Sequence, residues 1–160
     1  SEHRIDLLLT NYFPETEPGQ LYAKRIARLP IWIVGGKSFL KLKEGFPKSV
    51  EGKPFILPTA DSHVRHEFES FCRGSGLNPD RVVETQDVMV QKLLALRQIG
   101  MTVVPRFAVS DYLQKKELHL IGKLEGVYEE LFLVAASRKI ENPVASLLMK
   151  RFQLPESAVT

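Results

Sequence analysis

Of its 160 residues the chain spends one on cysteine, one on tryptophan and three on methionine. A lone Cys72 excludes an internal disulfide and supplies no thiolate set for zinc. Its place on the apolar face of a predicted helix reads as a buried structural thiol, in keeping with a reducing compartment. No apolar run approaches the ~18 residues of a membrane span. No secretory signal is visible, although the chain starts at Ser1 without a methionine, so an upstream segment stays open. A dense Lys/Arg block is also missing. The net charge is +3, and Lys37, Lys41, Lys43, Lys48 and Lys53 are spread along a polar stretch, which reads as solvated surface and not as a nucleic-acid footprint.

The usual signatures of chemistry are absent too. There is no G-x-S-x-G elbow, no G-x-G-x-x-G and no P-loop. Among the four histidines only His63 and His66 share a helix face, and they lack a third partner at metal spacing, so both read as solvent-facing. Gly74-Ser75-Gly76 follows a helix instead of preceding one, which makes it a helix stop and not a phosphate cradle. Neither a metal nor a cofactor is expected.

What is present is an alternation of short apolar runs and helical periods over residues 54–105. Pro54-Phe55-Ile56-Leu57-Pro58 predicts a strand. Val64, Phe68, Phe71 and Cys72 then fall on one face of a helix over 63–73. Residues 81–85 predict a second strand, 87–99 a second helix stopped by Gly100, and 101–105 a third strand. Such alternation implies parallel strands with crossover helices. Ligands in these sheets bind beyond the carboxyl ends of the strands, at helix N-termini. The polar residues there are Thr59, Asp61 and Ser62 after the first strand, and Thr85, Gln86 and Asp87 after the second. Asp, Ser and Thr at these places are ordinary caps, worth on the order of 1 kcal/mol each, and a ligand role stands equally open. Asp61, Asp87 and Glu84 together favour a cation, or a ligand bearing a donor, over a simple anion.

Outside this ladder, residues 5–10 predict a strand buried on both faces, 11–19 a loop, and 21–27 and 30–34 two separate strands. Residues 37–52 read as a polar loop with one helical turn near 49–53. Residues 108–116 predict a helix with Val109, Tyr112 and Leu113 on one face, and 118–121 and 129–136 two more strands. Asn142 and Pro143 open a last helix to about 152, followed by a frayed tail. The expected architecture is two α/β lobes: residues 1–29 and 128–155 in one, 30–127 in the other, 156–160 a tail, with two crossing strands as a hinge and a cleft between the lobes.

These residues carry a family resemblance. Phe55-Ile56-Leu57-Pro58, the Ser62 and Arg65 helix start, Val82-Val83-Glu84-Thr85, and the run from Leu94 through Gly100 to Val104-Pro105 resemble the effector-binding domain of LysR-type transcriptional regulators. Met101 replaces the second glycine of that family's usual turn. Asp6-Leu7-Leu8-Leu9 and Lys53-Pro54-Phe55-Ile56-Leu57 match its strand openings. Residues 121–130 and 135–144 are similar to the subfamily that regulates a sodium/proton antiporter gene. The resemblance implies a periplasmic-binding-protein type II-like α/β fold whose first lobe is N-terminally truncated. It implies a small-molecule or monovalent-cation effector in the cleft and no catalysis. It further implies DNA contact only through an N-terminal winged helix-turn-helix outside this chain, a homo-oligomer (dimer or tetramer), no membrane and a cytoplasmic setting. By position it makes Thr59, Asp61, Ser62, Thr85, Gln86, Val104 and Pro105 effector contacts, with Asn11 and Tyr12 at the mouth of the other lobe and the helix at 62–73 a place of contact between domains. A solute-binding protein of the same fold and a small α/β enzyme are the alternatives.

Overall fold

The computed structural model of the chain describes residues 7–11, 21–136 and 143–153. The chain divides into two compact units, Pro30–Tyr128 and Ser1–Leu29 with Glu129–Thr160.

In the larger unit the strand order is β6 (His119–Ala136), β2 (Leu21–Gly35), β5 (Met101–Pro105), β3 (Pro54–Pro58), β4 (Asp80–Thr85). β3 runs parallel to both β4 and β5, as the strand-helix alternation over 54–105 predicts. β2 runs antiparallel to β5, with Trp32 opposite Val104 and Ile31 opposite Pro105. Helix α1 (His63–Ser75) turns Val64, Phe68 and Cys72 inward at a spacing of four. Phe68 meets Phe55 of β3 with ring centroids 5.0 Å apart. The other face of the sheet carries α2 (Val88–Leu96) and α3 (Ser110–Gln114), which cover Val34, Ile56, Val104 and Leu118. Gly76 ends α1 at φ 65, a left-handed cap open to glycine without penalty.

Several local expectations are corrected. The two strands predicted at 21–27 and 30–34 are one strand of 15 residues. The two at 118–121 and 129–136 are likewise one strand of 18 residues, and the irregular spacing between them reflects Gly126 at φ 73 within it. The polar loop at 37–52 holds two 3-10 helices, Lys37–Lys43 and Lys48–Val50. Leu42 and Val50 are buried, and Phe39 and Phe46 pack on the core, while the lysines stay exposed. The helix predicted at 108–116 is split into a 3-10 turn, Arg106–Val109, and the short α3. Gly100 does not stop α2. That helix ends at Leu96, and the turn is made by Gln98 at φ 59. Gly100 instead allows a close approach of backbones, since a Cβ there would lie 2.9 Å from the Pro54 carbonyl oxygen.

In the smaller unit β1 (Leu7–Thr10) pairs antiparallel with β6. The strand expected to be buried on both faces is not: Leu8 is 46% and Leu9 57% exposed. A continuous apolar run resembles a central parallel strand, but here it lies at the end of the strand order. Helix α4 (Pro143–Arg151) opens at the predicted proline and buries Ala145. Asn142 and the tail beyond 153 lie outside the described residues.

Candidate functional site

Because β3, β4 and β5 are parallel, their carboxyl ends share one edge of the sheet. Pro58 pairs with Thr85, which sets Thr59 to Ser62 beside Thr85 to Asp87. Ser62 caps α1, its hydroxyl accepting the Arg65 N–H at 3.4 Å. Asp87 caps α2, its carboxylate accepting the Met89 N–H at 2.8 Å, and Thr85 Oγ1 accepts the Asp87 N–H at 3.1 Å. Both predicted caps therefore form. Thr59 Oγ1 donates to the Asp61 carboxylate at 2.6 Å. That bond first, then a backbone N–H and the neighbouring His66, hold the exposed Asp61 carboxyl below its usual range. Gln86 is exposed. Val104 is 1% exposed and lies in the apolar cluster that α2 and α3 cover, while Pro105 is half-buried at the strand end. Asn11 belongs to the smaller unit and donates to the Glu129 carboxylate at 2.8 Å. Tyr12 lies outside the described residues.

Two features of this edge escape a reading by composition. The first is Arg65, the one charged residue buried among the described residues. It donates to the Pro58 carbonyl and to Glu69, each at 2.7 Å, and pairs with Glu84 at 3.3 Å. Glu84 also meets Arg81 at 3.0 Å. Its charge is thus matched by two guanidiniums, which removes it from the argument that three acids favour a cation. An arginine three residues after a helix cap, on the turn facing a strand end, is the signal that would have found it. The second is Trp32, the one tryptophan. The Arg106 guanidinium lies 5.3 Å and the Lys123 ammonium 5.2 Å from its ring centroid. Arg106 follows directly on Val104-Pro105, a position readable from the sequence, but the indole it lies over sits on β2.

A polar chain inside the unit fixes this geometry. Gln91 of α2, 2% exposed, donates to Thr102 Oγ1 at 3.0 Å and to the Val103 carbonyl at 3.2 Å. Thr102 Oγ1 in turn donates to the Ile56 carbonyl at 2.8 Å. α2, β5 and β3 are thereby tied together behind the edge, with no buried side-chain N or O left unpartnered among the described residues. The buried Cys72 thiol is pushed up to about 11, chiefly by burial and then by Glu51 and Glu69, so it is a poor nucleophile at neutral pH. The described residues contain no group of three or more His, Cys, Asp or Glu placed to hold a metal ion. No helix among them is long and apolar enough to cross a membrane.

Known proteins are similar to this chain in sequence or in fold. The transcriptional activator protein NhaR of Escherichia coli strain K12 is 23% identical over 146 residues, covering 89% of this chain and 47% of its own length. The chain thus spans about half the length of the curated relatives it matches. The regulatory domain of CcmR from Synechocystis PCC6803, solved in complex with 2-PG, superposes with a TM-score of 0.68 at 12% identity, covering 91% of this chain and 70% of that one. The bromide-bound regulatory domain of HypT from Salmonella typhimurium gives 0.70 at 11% identity, covering 91% and 72%. The fold is the periplasmic-binding-protein type II-like fold of these regulatory domains. Residues 1–153 match the family model of the LysR substrate binding domain, and the chain belongs to that family.

Proposed function

We propose that the chain is the effector-binding domain of a LysR-type DNA-binding transcriptional regulator, and that a small ligand or ion at the carboxyl ends of β3, β4 and β5 sets the regulator's state. The observation that carries this reading is the family match over residues 1–153, taken with the capped helix starts at that shared edge. Thr59, Asp61, Ser62, Thr85, Gln86 and Pro105 are the proposed contacts, with Val104 supporting them from the core. The CcmR and HypT domains were each solved with a small guest, 2-PG and bromide, and a comparably small guest is proposed here. The ligand acts through its differential affinity for two arrangements of the regulator. The domain binds and releases it without chemistry. DNA contact belongs to an N-terminal winged helix-turn-helix outside these 160 residues, in a cytoplasmic homo-oligomer. α1 is the proposed contact between domains, supported by the cavity of about 480 Å³ beside it, lined by Phe68, Arg73 and Arg81 among others. A monovalent cation is the second reading of the effector, favoured by the exposed Asp61 carboxylate.

The test is a thermal-shift screen of the chain against small metabolites and against sodium and lithium salts. Promoter binding by the full-length regulator is then measured with each hit. The reading expects at least one hit that alters promoter binding and whose shift is lost in Thr85→Ala or Asp61→Asn. Hits indifferent to both substitutions, or without effect on promoter binding, would count against it.

A further inference from the structure

We propose that the cavity between α2 and the segment after β5 binds a small carboxylate with an apolar or ring-bearing body, its charge taken by Lys92. The place is separate from the contacts proposed above, none of which lines it, and it does not depend on them. The cavity measures about 420 Å³, a size in the range of small-molecule sites. Lys92 lines it from α2, and Phe107, Ser110, Asp111, Tyr112 and Lys115 line it from the chain that follows β5. Lys92 Nζ donates to the Ala108 carbonyl at 3.2 Å, which ties α2 to the Arg106–Val109 turn. It also stands 5.9 Å from the centroid of the Tyr112 ring.

This half-buried cation carries the inference. An ammonium has three N–H donors, and the Ala108 carbonyl takes one. Among the described residues Lys92 pairs with no acid. Arg65 is the contrast, since that cation, also withdrawn from water, meets both Glu69 and Glu84. Withdrawing a charge from water without a counter-charge is costly, and a carbonyl and a ring offset that cost only in part. A carboxylate in the cavity supplies the missing partner through a charge-assisted hydrogen bond. One acid, Asp111, lines the cavity against two lysines. Asp111 and Lys115 are both exposed, and neither is in an ion pair among the described residues, so water and salt screen their charges. The aromatic wall sets the rest of the ligand. Phe107 is 47% exposed and Tyr112 half-buried. A ring or short alkyl body laid on Phe107 removes that apolar surface from water.

The experiment titrates the isotope-labelled chain of 160 residues with phenylacetate, with its neutral counterpart phenylacetamide and with acetate. Backbone amide resonances are followed at constant ionic strength. Phenylacetate should give saturable shifts at Lys92, Phe107, Ala108 and Tyr112 and bind at least tenfold more tightly than either control. Lys92→Met keeps the unbranched stem, removes the charge and should weaken binding about tenfold. Phe107→Ala, at an exposed position, should weaken it about threefold, and Thr85→Ala should leave it unchanged. Should Lys92→Met lower the melting temperature, the phenylacetamide control and Phe107→Ala decide the matter in its place. Phenylacetamide binding as tightly as phenylacetate, shifts that never saturate, or a folded Lys92→Met that binds as before would overturn the site. Shifts confined to residues 59–62 and 85–87 would put the anion at the strand ends, so that this cavity falls and the effector reading stands.

Discussion

Pro30–Tyr128 keeps Ile31, Ile33, Phe55, Ile56 and Met101 wholly out of water, whereas the other unit leaves Leu8 46%, Leu9 57%, Val144 65% and Leu147 50% exposed. Each unit contains a strongly apolar strand, Leu7–Thr10 in the smaller and Pro54–Pro58 in the larger. A sheet closes a core only when both faces are covered. The larger unit has α1 on one face and α2 with α3 on the other. Among its described residues the smaller unit has one helix, α4, against the three strands that run through it. Of the exposed large apolar side chains of the larger unit, Val88, Met89 and Leu93 sit on α2, whose opposite face supplies Gln91 and Ala95 to the interior. The lesson is that a hydrophobic run becomes core only where the topology supplies something to lay on it.

The largest effect should come from emptying the closed core. Leu57→Ala, at a residue 3% exposed, is expected to cost about 2–5 kcal/mol in urea unfolding followed by Trp32 fluorescence. Next is Arg65→Ala, which strips the Pro58 carbonyl and Glu84 of a buried partner. A loss of about 2–4 kcal/mol is expected, with an isosteric apolar replacement such as Arg65→Met recovering part of it. Cys72 gives a pH test of the same closed interior. Its thiol is raised from 9.0 to about 11, so the folded chain holds a proton that the unfolded chain releases. The stabilisation is full below pH 9 and is lost as pH rises towards 11, at most about 2 kcal/mol. Cys72→Ala should flatten that slope in melts between pH 8 and 11. Thr102→Val removes the hydroxyl that joins Gln91 to the Ile56 carbonyl and should cost about 1–2 kcal/mol, since Gln91 keeps its bond to Val103. The smallest change is expected in the smaller unit, where Leu9→Ser should stay within about 0.5 kcal/mol. A Leu9→Ser cost equal to that of Leu57→Ala would break the comparison outright.

Much of the larger unit was legible because its signals are local. The helix at 63–73 declared itself by apolar spacing, and its ends by Ser62 and Gly76. The strand at 101–105 was bounded by glycine and proline. The breaks read within β2 and β6 were wrong because irregular spacing and Gly126 look like turns when no neighbour is visible, and hydrogen bonds to adjacent strands carry the chain straight through. The polar 37–52 segment hid Leu42 and Val50, since lysines at the surface outnumber the few side chains that anchor it. At the edge of the sheet, the caps at Ser62 and Asp87 followed from residue type and position. The pairing of Arg65 with Glu84, 19 positions apart, and the meeting of Arg106 and Lys123 at Trp32 did not.

By itself, then, the order of residues determined which segments are strands and helices, that those of 54–105 run parallel, and that polar groups gather where the strands end. Those properties depend on neighbours a few residues apart, and short-range sterics and periodicity decide them. Tertiary structure alone decided which charges cancel and which converge. Electrostatic interaction falls with distance in space, not along the chain, and only the β2–β5 and β2–β6 neighbour relations bring the indole and its two cations to one place.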